Sequence, residues 1–385
     1  MTSNQELASF YRGTRVVVTG HTGFKGAWLT LALAELGATV TGIALPADAD
    51  GVFALGAIDR RVDSHLVDIR DRSQVQQVLR DADPHVVFHL AAQSLVPTSF
   101  REPVETFDVN VVGTAVLLAA CDTLPSLRSV VVVTSDKVYE NRGTGRAFVE
   151  SDRLGAGDPY STSKAAAELV VESWRHSFGP THDGTAHRLG SARAGNVIGG
   201  GDRALDRVVP DTIRALTEGR PVELRNPGSV RPWQHVLEPV LGYLAYAAEL
   251  ARGTALARGA GQGAGQSTEL DTDEVPAALN FGPDPTCTST VGELVDRVVD
   301  RWGSGSWSPT AVRPGPEAQV LLLDSSLAGT TLGWRPVLDL DAIVRMTVDW
   351  YRCAADRKGC EELTLQQLHG YLALTDGAAE GPGTR

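Results

Sequence analysis

The sequence is short of lysine, cysteine and long apolar runs, and each shortage excludes something. No stretch of eighteen consecutive apolar residues occurs, so no membrane-spanning helix is expected. The first residues, MTSNQELASFYRGTR, lack the basic-then-apolar pattern of a secretory signal. Only four cysteines (Cys121, Cys287, Cys353 and Cys360) occur in 385 residues, with no CxxC spacing. That pattern points to reduced thiols in a cytoplasmic protein rather than to disulfides, and no metal site is expected. Positive charge is also scarce. With 35 Lys and Arg against 47 Asp and Glu, the formal net charge of −12 argues against a nucleic-acid partner. A few local arginines still suffice to hold a small anionic ligand.

Lysine is the scarcest charged residue: Lys25, Lys137, Lys164 and Lys358 are the four of 35 basic residues that are not arginine. Arginine does not lose its proton in a protein, whereas a lysine pKa moves with its surroundings. A chain that uses arginine almost everywhere is expected to keep lysine where that difference matters. Three of the four lie in the motifs described below.

With 42% apolar and 21% charged residues, the composition is that of a globular chain, long enough for two domains sharing a core. The first half alternates β-branched runs with helical stretches, which predicts an α/β fold with a doubly wound parallel sheet. Strands are expected at Arg15–Thr19, Thr39–Leu45, ending at Leu66–Ile69, at His85–Ala92, Ser129–Thr134 and Ala186–Ala194. Helices are expected at Trp28–Leu36, Ser73–Leu79, Glu102–Cys121 and Tyr160–Phe178. After about residue 195 the pattern loosens, so residues 1–194 read as one domain. Residues 195–375 read as a smaller mixed α/β C-terminal domain, some segments of which could return to the first. The Gly/Ala/Ser-rich stretch 252–268 reads as a flexible insertion and 376–385 as a disordered tail.

Directly after the first strand stands GHTGFKG, with Gly20, Gly23 and Gly26. At that place the first glycine permits a tight turn and the second lets backbone approach a pyrophosphate. The third lets strand and helix pack closely, with the diphosphate on the helix N-terminus. A dinucleotide cofactor is therefore expected. The acidic residue usual about 20 positions on is missing: the second strand ends Gly42-Ile43-Ala44-Leu45, and no arginine stands there either. The residues alone leave NAD and NADP open.

Tyr160 and Lys164 form a Tyr-x-x-x-Lys pair, four apart and so on one helix face. A nearby ammonium lowers the pKa of a phenol, and the pair can then take a proton from a hydroxyl as hydride leaves. The fifth strand ends Thr134-Ser135-Asp136-Lys137, a hydroxyl and two ionisable groups at the carboxyl edge where ligands of such sheets bind.

These residues carry a resemblance. GHTGFKG, HLAAQ (89–93), TSDKVYEN (134–141), DPYSTSK (158–164), RAGNVIGGGD (193–202) and RPWQHV (231–236) closely resemble the CDP-glucose 4,6-dehydratases, from roughly residue 14 to 352. That family belongs to the extended short-chain dehydrogenase/reductases, with a Rossmann sheet and a smaller substrate domain. The resemblance implies NAD as cofactor and a nucleotide-diphosphate hexose as substrate. The reaction it implies is oxidation at C4, elimination of water across C5 and C6, and hydride return to C6. It places Ser135, Tyr160 and Lys164 in the redox step and Asp136 as the acid, with Lys137 as either the C5 base or a group polarising the ketone. It further implies that Gly20, Gly23, Phe24, Gly26, Asp68, Ile69, Ala91 and Ala92 line the cofactor, as do Tyr160 and Lys164. Gln93, Asn196, Arg207 and Arg231 are implied around the substrate. Pro97, Phe100 and Arg203 stand where the family usually has arginine, tyrosine and tryptophan, and they bear on the sugar rather than on the cofactor. The alternatives are an oxidoreductase or 4-epimerase of the same fold on a different nucleotide sugar, and a non-catalytic dinucleotide sensor. A homodimer is expected through a four-helix interface using Val111, Leu117, Leu118, Ala166 and Val170.

Overall fold

A computed structural model of the chain describes residues 3–178, 188–259, 275–310 and 321–379. Seven strands form one parallel sheet: β1 (Arg15–Thr19), β2 (Thr39–Ala44), β3 (Asp63–Leu66), β4 (Val86–His89), β5 (Ser129–Val133), β6 (Arg188–Arg193) and β7 (Ala278–Asn280). Their order across the sheet is β7-β6-β5-β4-β1-β2-β3, so the winding reverses between β1 and β4. The carboxyl ends of those two strands open a crevice, where ligands of this architecture bind.

The strand sequences dictate this arrangement. Central parallel strands are covered on both faces, so they read as continuous apolar runs, with successive side chains alternating between faces. Val16, Val18, Val86, Phe88, Val131 and Val133 pack with the Phe24–Glu35 and Leu237–Gly259 helices. Val17, Val87, Val130 and Val132 face the other way, onto Val75, Val78, Leu79, Leu117, Leu118 and Val171. Trp28, Leu29, Leu31 and Leu33 are fully buried, each worth about 1.5–3 kcal/mol of transfer free energy.

Several boundaries differ from expectation. The first crossover helix starts at Phe24, immediately on the glycine turn. The third strand is Asp63–Leu66, so Val67–Ile69 lie just past its end. The expected Glu102–Cys121 helix widens at Asp108–Val112 into a π segment before resuming at Gly113–Cys121. The stretch Pro103–Cys121 is apolar and long enough to cross a bilayer by composition, yet Thr114, Leu117, Leu118 and Cys121 are core residues under the sheet. Burial of Leu117 and Leu118 also removes them from the outward-facing set. Later segments return to the first sheet: β7 pairs with β6, and the Leu237–Gly259 helix packs on β5 and β6. That helix covers residues 252–259 of the expected insertion, and 260–268 lie outside the described residues. The last helix, Cys360–Ala379, likewise takes up the first residues of the expected tail; 380–385 lie outside the described residues.

The remainder is assembled from short pairs: Val197–Ile198 with Gln234–His235, Val230–Pro232 with Thr288–Thr290, and Val222–Leu224 with Trp307–Pro309. All four cysteines are free. The Leu340–Asp356 and Cys360–Ala379 helices bring the sulfurs of Cys353 and Cys360 within 3.5 Å.

Candidate active site

The glycine turn has the geometry of a dinucleotide cradle. Gly20 has φ +75°, and a β-carbon there would lie 2.7 Å from Ala91 N; one on Gly26 would lie 2.0 Å from Gly20 O. Only glycine fits either place. The Phe24–Glu35 helix starts at exposed Gly23 with no side-chain cap, so its first N–H groups stand ready for an anion. Ala91 and Ala92 follow β4 directly opposite, with Ala91 N donating to Thr19 Oγ1 at 3.2 Å. Leu45 and Leu66, exposed at the ends of β2 and β3, leave an apolar shelf fit for an adenine. The residues therefore fit a dinucleotide.

Within β2 the turn packs close on the strand. A β-carbon on Gly42 would strike the His21 ring at 2.3 Å, and His21 Nε2 meets Ser64 Oγ at 2.7 Å. Asp68 sits past β3, but its carboxylate is gripped by Arg70, with Nη2–Oδ2 at 2.7 Å and Nε–Oδ1 at 3.0 Å. Ile69 is buried against Gly113, where a β-carbon would come within 2.8 Å.

The residues at the end of β5 converge. Ser135 caps the short Asp136–Val138 helix, accepting from Lys137 N at 3.2 Å and donating to Asp136 Oδ1 at 3.0 Å. The Asp136 side chain is 2% exposed, and its Oδ1 lies 3.4 Å from Lys137 Nζ. That carboxylate holds the Lys137 ammonium above its ordinary pKa, against the effect of burial. Tyr160 is buried beside them. Burial raises its phenol, opposed by the Lys137 ammonium and the Ser135 hydroxyl. Lys137 and Arg207 are thus cations that act on the phenol. Lys164 instead donates to Val133 O at 3.2 Å, and burial lowers it to about 8.

Around this centre, Asn196 takes the left-handed conformation (φ 51°) and directs Nδ2 to Asp136 Oδ2 at 3.4 Å. Arg207 pairs with Asp202 at 2.7 Å and reaches across to Ser94 Oγ at 3.0 Å, joining the second half of the chain to the loop after β4. Arg231 lies near enough to Lys137 to oppose its charge. Gln93 ties its loop to the Pro103–Phe107 helix: Nε2 donates to Thr106 Oγ1 at 2.8 Å, and Oε1 accepts from Leu95 N at 2.6 Å.

Sequence reasoning passed over Lys25 as a site residue. It is the second residue of the turn's helix, and burial, with Arg207 next, lowers it to about 7. Its rarity in an arginine-rich chain was the available signal. Glu168 and Arg193, discussed below, gave no such signal.

A doubly wound sheet, a glycine cradle and a Ser/Tyr/Lys set at its carboxyl edge define an extended short-chain dehydrogenase/reductase site. The sequence profile described as GDP-mannose 4,6 dehydratase matches residues 17–347. The chain is 40% identical to the CDP-glucose 4,6-dehydratase of Salmonella typhimurium, over 95% of this chain and 98% of that protein. It is 26% identical to a dTDP-glucose 4,6-dehydratase of Xanthomonas campestris, over 87% and 92%. In structure it resembles an epimerase of Methanothermobacter thermautotrophicus (TM-score 0.74, 19% identity, 92% of this chain and 97% of that one). It also resembles the dTDP-glucose 4,6-dehydratase of Bacillus anthracis, solved with NAD (TM-score 0.71, 18% identity, 90% and 98%). The chain belongs to the nucleotide-sugar 4,6-dehydratase family, and its enzymatic class is that of a hydro-lyase.

Proposed function

We propose that this enzyme uses NAD to convert CDP-glucose into CDP-4-keto-6-deoxyglucose. The observation that carries this reading is the Asp136–Lys137 ion pair, 3.4 Å across, in the same buried centre as Tyr160 and Ser135. An alcohol oxidation alone needs no second acid–base pair, whereas an elimination does.

Bound NAD supplies a hydride acceptor for C4 and a hydride donor for C6. Tyr160, beside Ser135 and Lys137, takes the proton of the C4 hydroxyl, with Lys164 one turn along the same helix as the cation of the redox step. The resulting ketone acidifies the C5 proton. Moving one proton across the Asp136–Lys137 contact converts the ion pair into a carboxylic acid and an amine. The amine removes the C5 proton while Asp136 protonates the departing C6 hydroxyl, which returns both groups to their resting charges. As C6 is reduced, Lys137 gives its proton back to C5. The proton taken from the C4 hydroxyl replaces the one that leaves with water, so the cycle is proton-neutral. Arg207 and Arg231 suit a diphosphate, since a guanidinium fork matches its oxygens. Asn196 backs the Asp136 carboxylate, Gln93 shapes the sugar side of the loop, and Asp68 with Ile69 borders the adenine.

The enzyme acts as a homodimer in the cytoplasm in this proposal. Val104 (81% exposed), Leu169 (56%) and Val112 (49%) on the helices around 103–121 and 159–178 offer an apolar face for a second copy, beside half-buried Val111, Ala166 and Val170. Incubating the protein and NAD with a panel of nucleotide-hexoses, followed by mass spectrometry, tests the reading: CDP-glucose should lose one water. Turnover without water loss, or preference for another nucleotide, refutes it.

A further inference from the structure

A densely hydrogen-bonded polar network lies behind the reacting groups. Glu168 is one helical turn beyond Lys164 on the same face, and its side chain is 4% exposed. A carboxylate buried that deeply is costly unless its lone pairs are filled. Here they are. Thr134 Oγ1 donates at 2.5 Å, Ser191 Oγ at 2.6 Å, and Arg193 donates through Nε at 2.9 Å and Nη2 at 2.8 Å. Burial works against the charge of Glu168, but the Arg193 guanidinium together with the Ser191 and Thr134 hydroxyls outweighs it and keeps the carboxyl below its ordinary pKa.

Arg193 continues the network. Its Nη1 donates to Tyr139 OH at 2.8 Å and to Glu150 O at 3.0 Å, and its guanidinium lies 5.1 Å from the Tyr139 ring centroid. Tyr139 OH donates to Asn280 Oδ1 at 2.7 Å, at the end of β7. Thr134 immediately precedes Ser135, and Tyr139 immediately follows the Asp136–Val138 turn. The ion pair therefore grips the segment bearing Ser135, Asp136 and Lys137 from both ends. Replacing a buried ion pair by apolar side chains is often neutral for stability, so this placement calls for another explanation.

We propose that the Glu168–Arg193 pair is a positioning device for the dehydratase reaction. It fixes the Ser135–Val138 segment against Tyr160 and supplies the negative charge that keeps Lys164 an ammonium. The inference rests on the redox roles given above to Tyr160 and Lys164. The groups facing Lys164 are few. Glu168 lies on its own helix and Arg193 on β6. Lys25 stands on the glycine-turn helix, and His89, neutral through burial, ends β4. Among these and Tyr160, Glu168 is the anion that opposes the effect of burial on Lys164.

The test uses the full chain and the isosteric variant Glu168→Gln. Four lysines in the sequence make a carbon-13 lysine NMR titration readable, with Lys164 assigned from Lys164→Arg. Lys164 should titrate near pH 8 in the parent, and at least one unit lower in Glu168→Gln. With CDP-glucose, kcat should fall ten- to hundredfold with KM changed less than threefold. The alkaline limb of the pH profile should move to lower pH, because Lys164 loses its proton sooner. Glu168→Asp should restore most of the profile. If Glu168→Gln does not fold, Glu168→Gln with Arg193→Met removes both charges, and a smaller Lys164 shift in the same direction is expected. Thr134→Val, which keeps the ion pair, should lower kcat without moving the limb. An unmoved Lys164 titration, or an unmoved limb in Glu168→Gln, overturns the proposal. A parent enzyme that removes no water while its Lys164 titration still shifts sinks the dehydratase reading and leaves the electrostatic half of the inference standing.

Discussion

Asp136 occupies the space that a side chain on residue 195 would need: a β-carbon on Gly195 would stand 1.9 Å from Asp136 Oδ2. The carboxylate is 2% exposed, so it cannot step aside without breaking its contacts with Ser135, Lys137 and Asn196. Gly195→Ala should therefore displace Asp136 and slow water loss at least about tenfold, at a stability cost of about 1–3 kcal/mol from overpacking. Steady-state rates and thermal midpoints check this, and full activity would show that Asp136 has other tolerated positions.

Tyr160→Phe removes one oxygen from a buried ring. Cofactor binding, measured by calorimetry, should persist, while turnover falls on the order of 10²–10⁴-fold, the usual worth of a positioned acid–base group. Turnover within about tenfold of the parent would take Tyr160 out of the redox step.

The elimination pair makes a prediction about atoms. CDP-glucose carrying deuterium at C4 should give 4-keto-6-deoxy product with deuterium at C6, and no NADH should accumulate. Asp136→Asn and Lys137→Met should each slow water loss about 10²-fold or more; bound cofactor should still be reduced in Asp136→Asn, and reduced more slowly in Lys137→Met, since Lys137 also acts on the Tyr160 phenol. Product NMR and absorbance near the reduced-cofactor band decide it. Label returned to C4 would mark an epimerase, and NADH in proportion to product a simple oxidase.

Acid should unfold this protein earlier than its carboxylate content suggests. Burial lowers His21 to about 4 and His89 and His235 to about 3. Each binds a proton more readily when unfolded, so its contribution is present above about pH 6.5 and is lost as pH falls through the folded value. Glu238 acts in the opposite sense, since burial raises it to about 7 and it binds its proton more readily when folded. Three histidine protons against one on Glu238 give a loss that steepens as pH falls from 6.5 and approaches roughly 2.7 kcal/mol per pH unit near pH 5. Urea midpoints across that window test the slope, and a flat profile would show that these histidines reach water.

The parts of the fold legible in the sequence were those with local causes. The apolar runs at 16–18, 86–88 and 130–133 are continuous because both faces of a parallel strand are covered, and GHTGFKG is a turn because only glycine fits at Gly20 and Gly26. The TSDK and YSTSK motifs likewise fell into one buried centre. What stayed hidden depends on neighbours distant in the chain. Ala278–Asn280 is too short to announce itself and becomes a strand only because β6 offers an edge. Leu117 and Leu118 look like interface residues until the fold packs them under the sheet with Val75, Val78 and Leu79.

Side-chain periodicity and backbone that only glycine allows made the sheet and the cradle legible from residue order, and the TSDK and YSTSK motifs marked the side chains that gather at the carboxyl edge. Which charge faces which group was decided by tertiary structure alone. Lys137 and Arg207 both act on the Tyr160 phenol, and Lys25 joins the centre from the turn. Glu168 meets Arg193 across 25 positions of sequence, behind the segment both hold. Electrostatic effects depend on distance and burial, and neither is written in the order of residues.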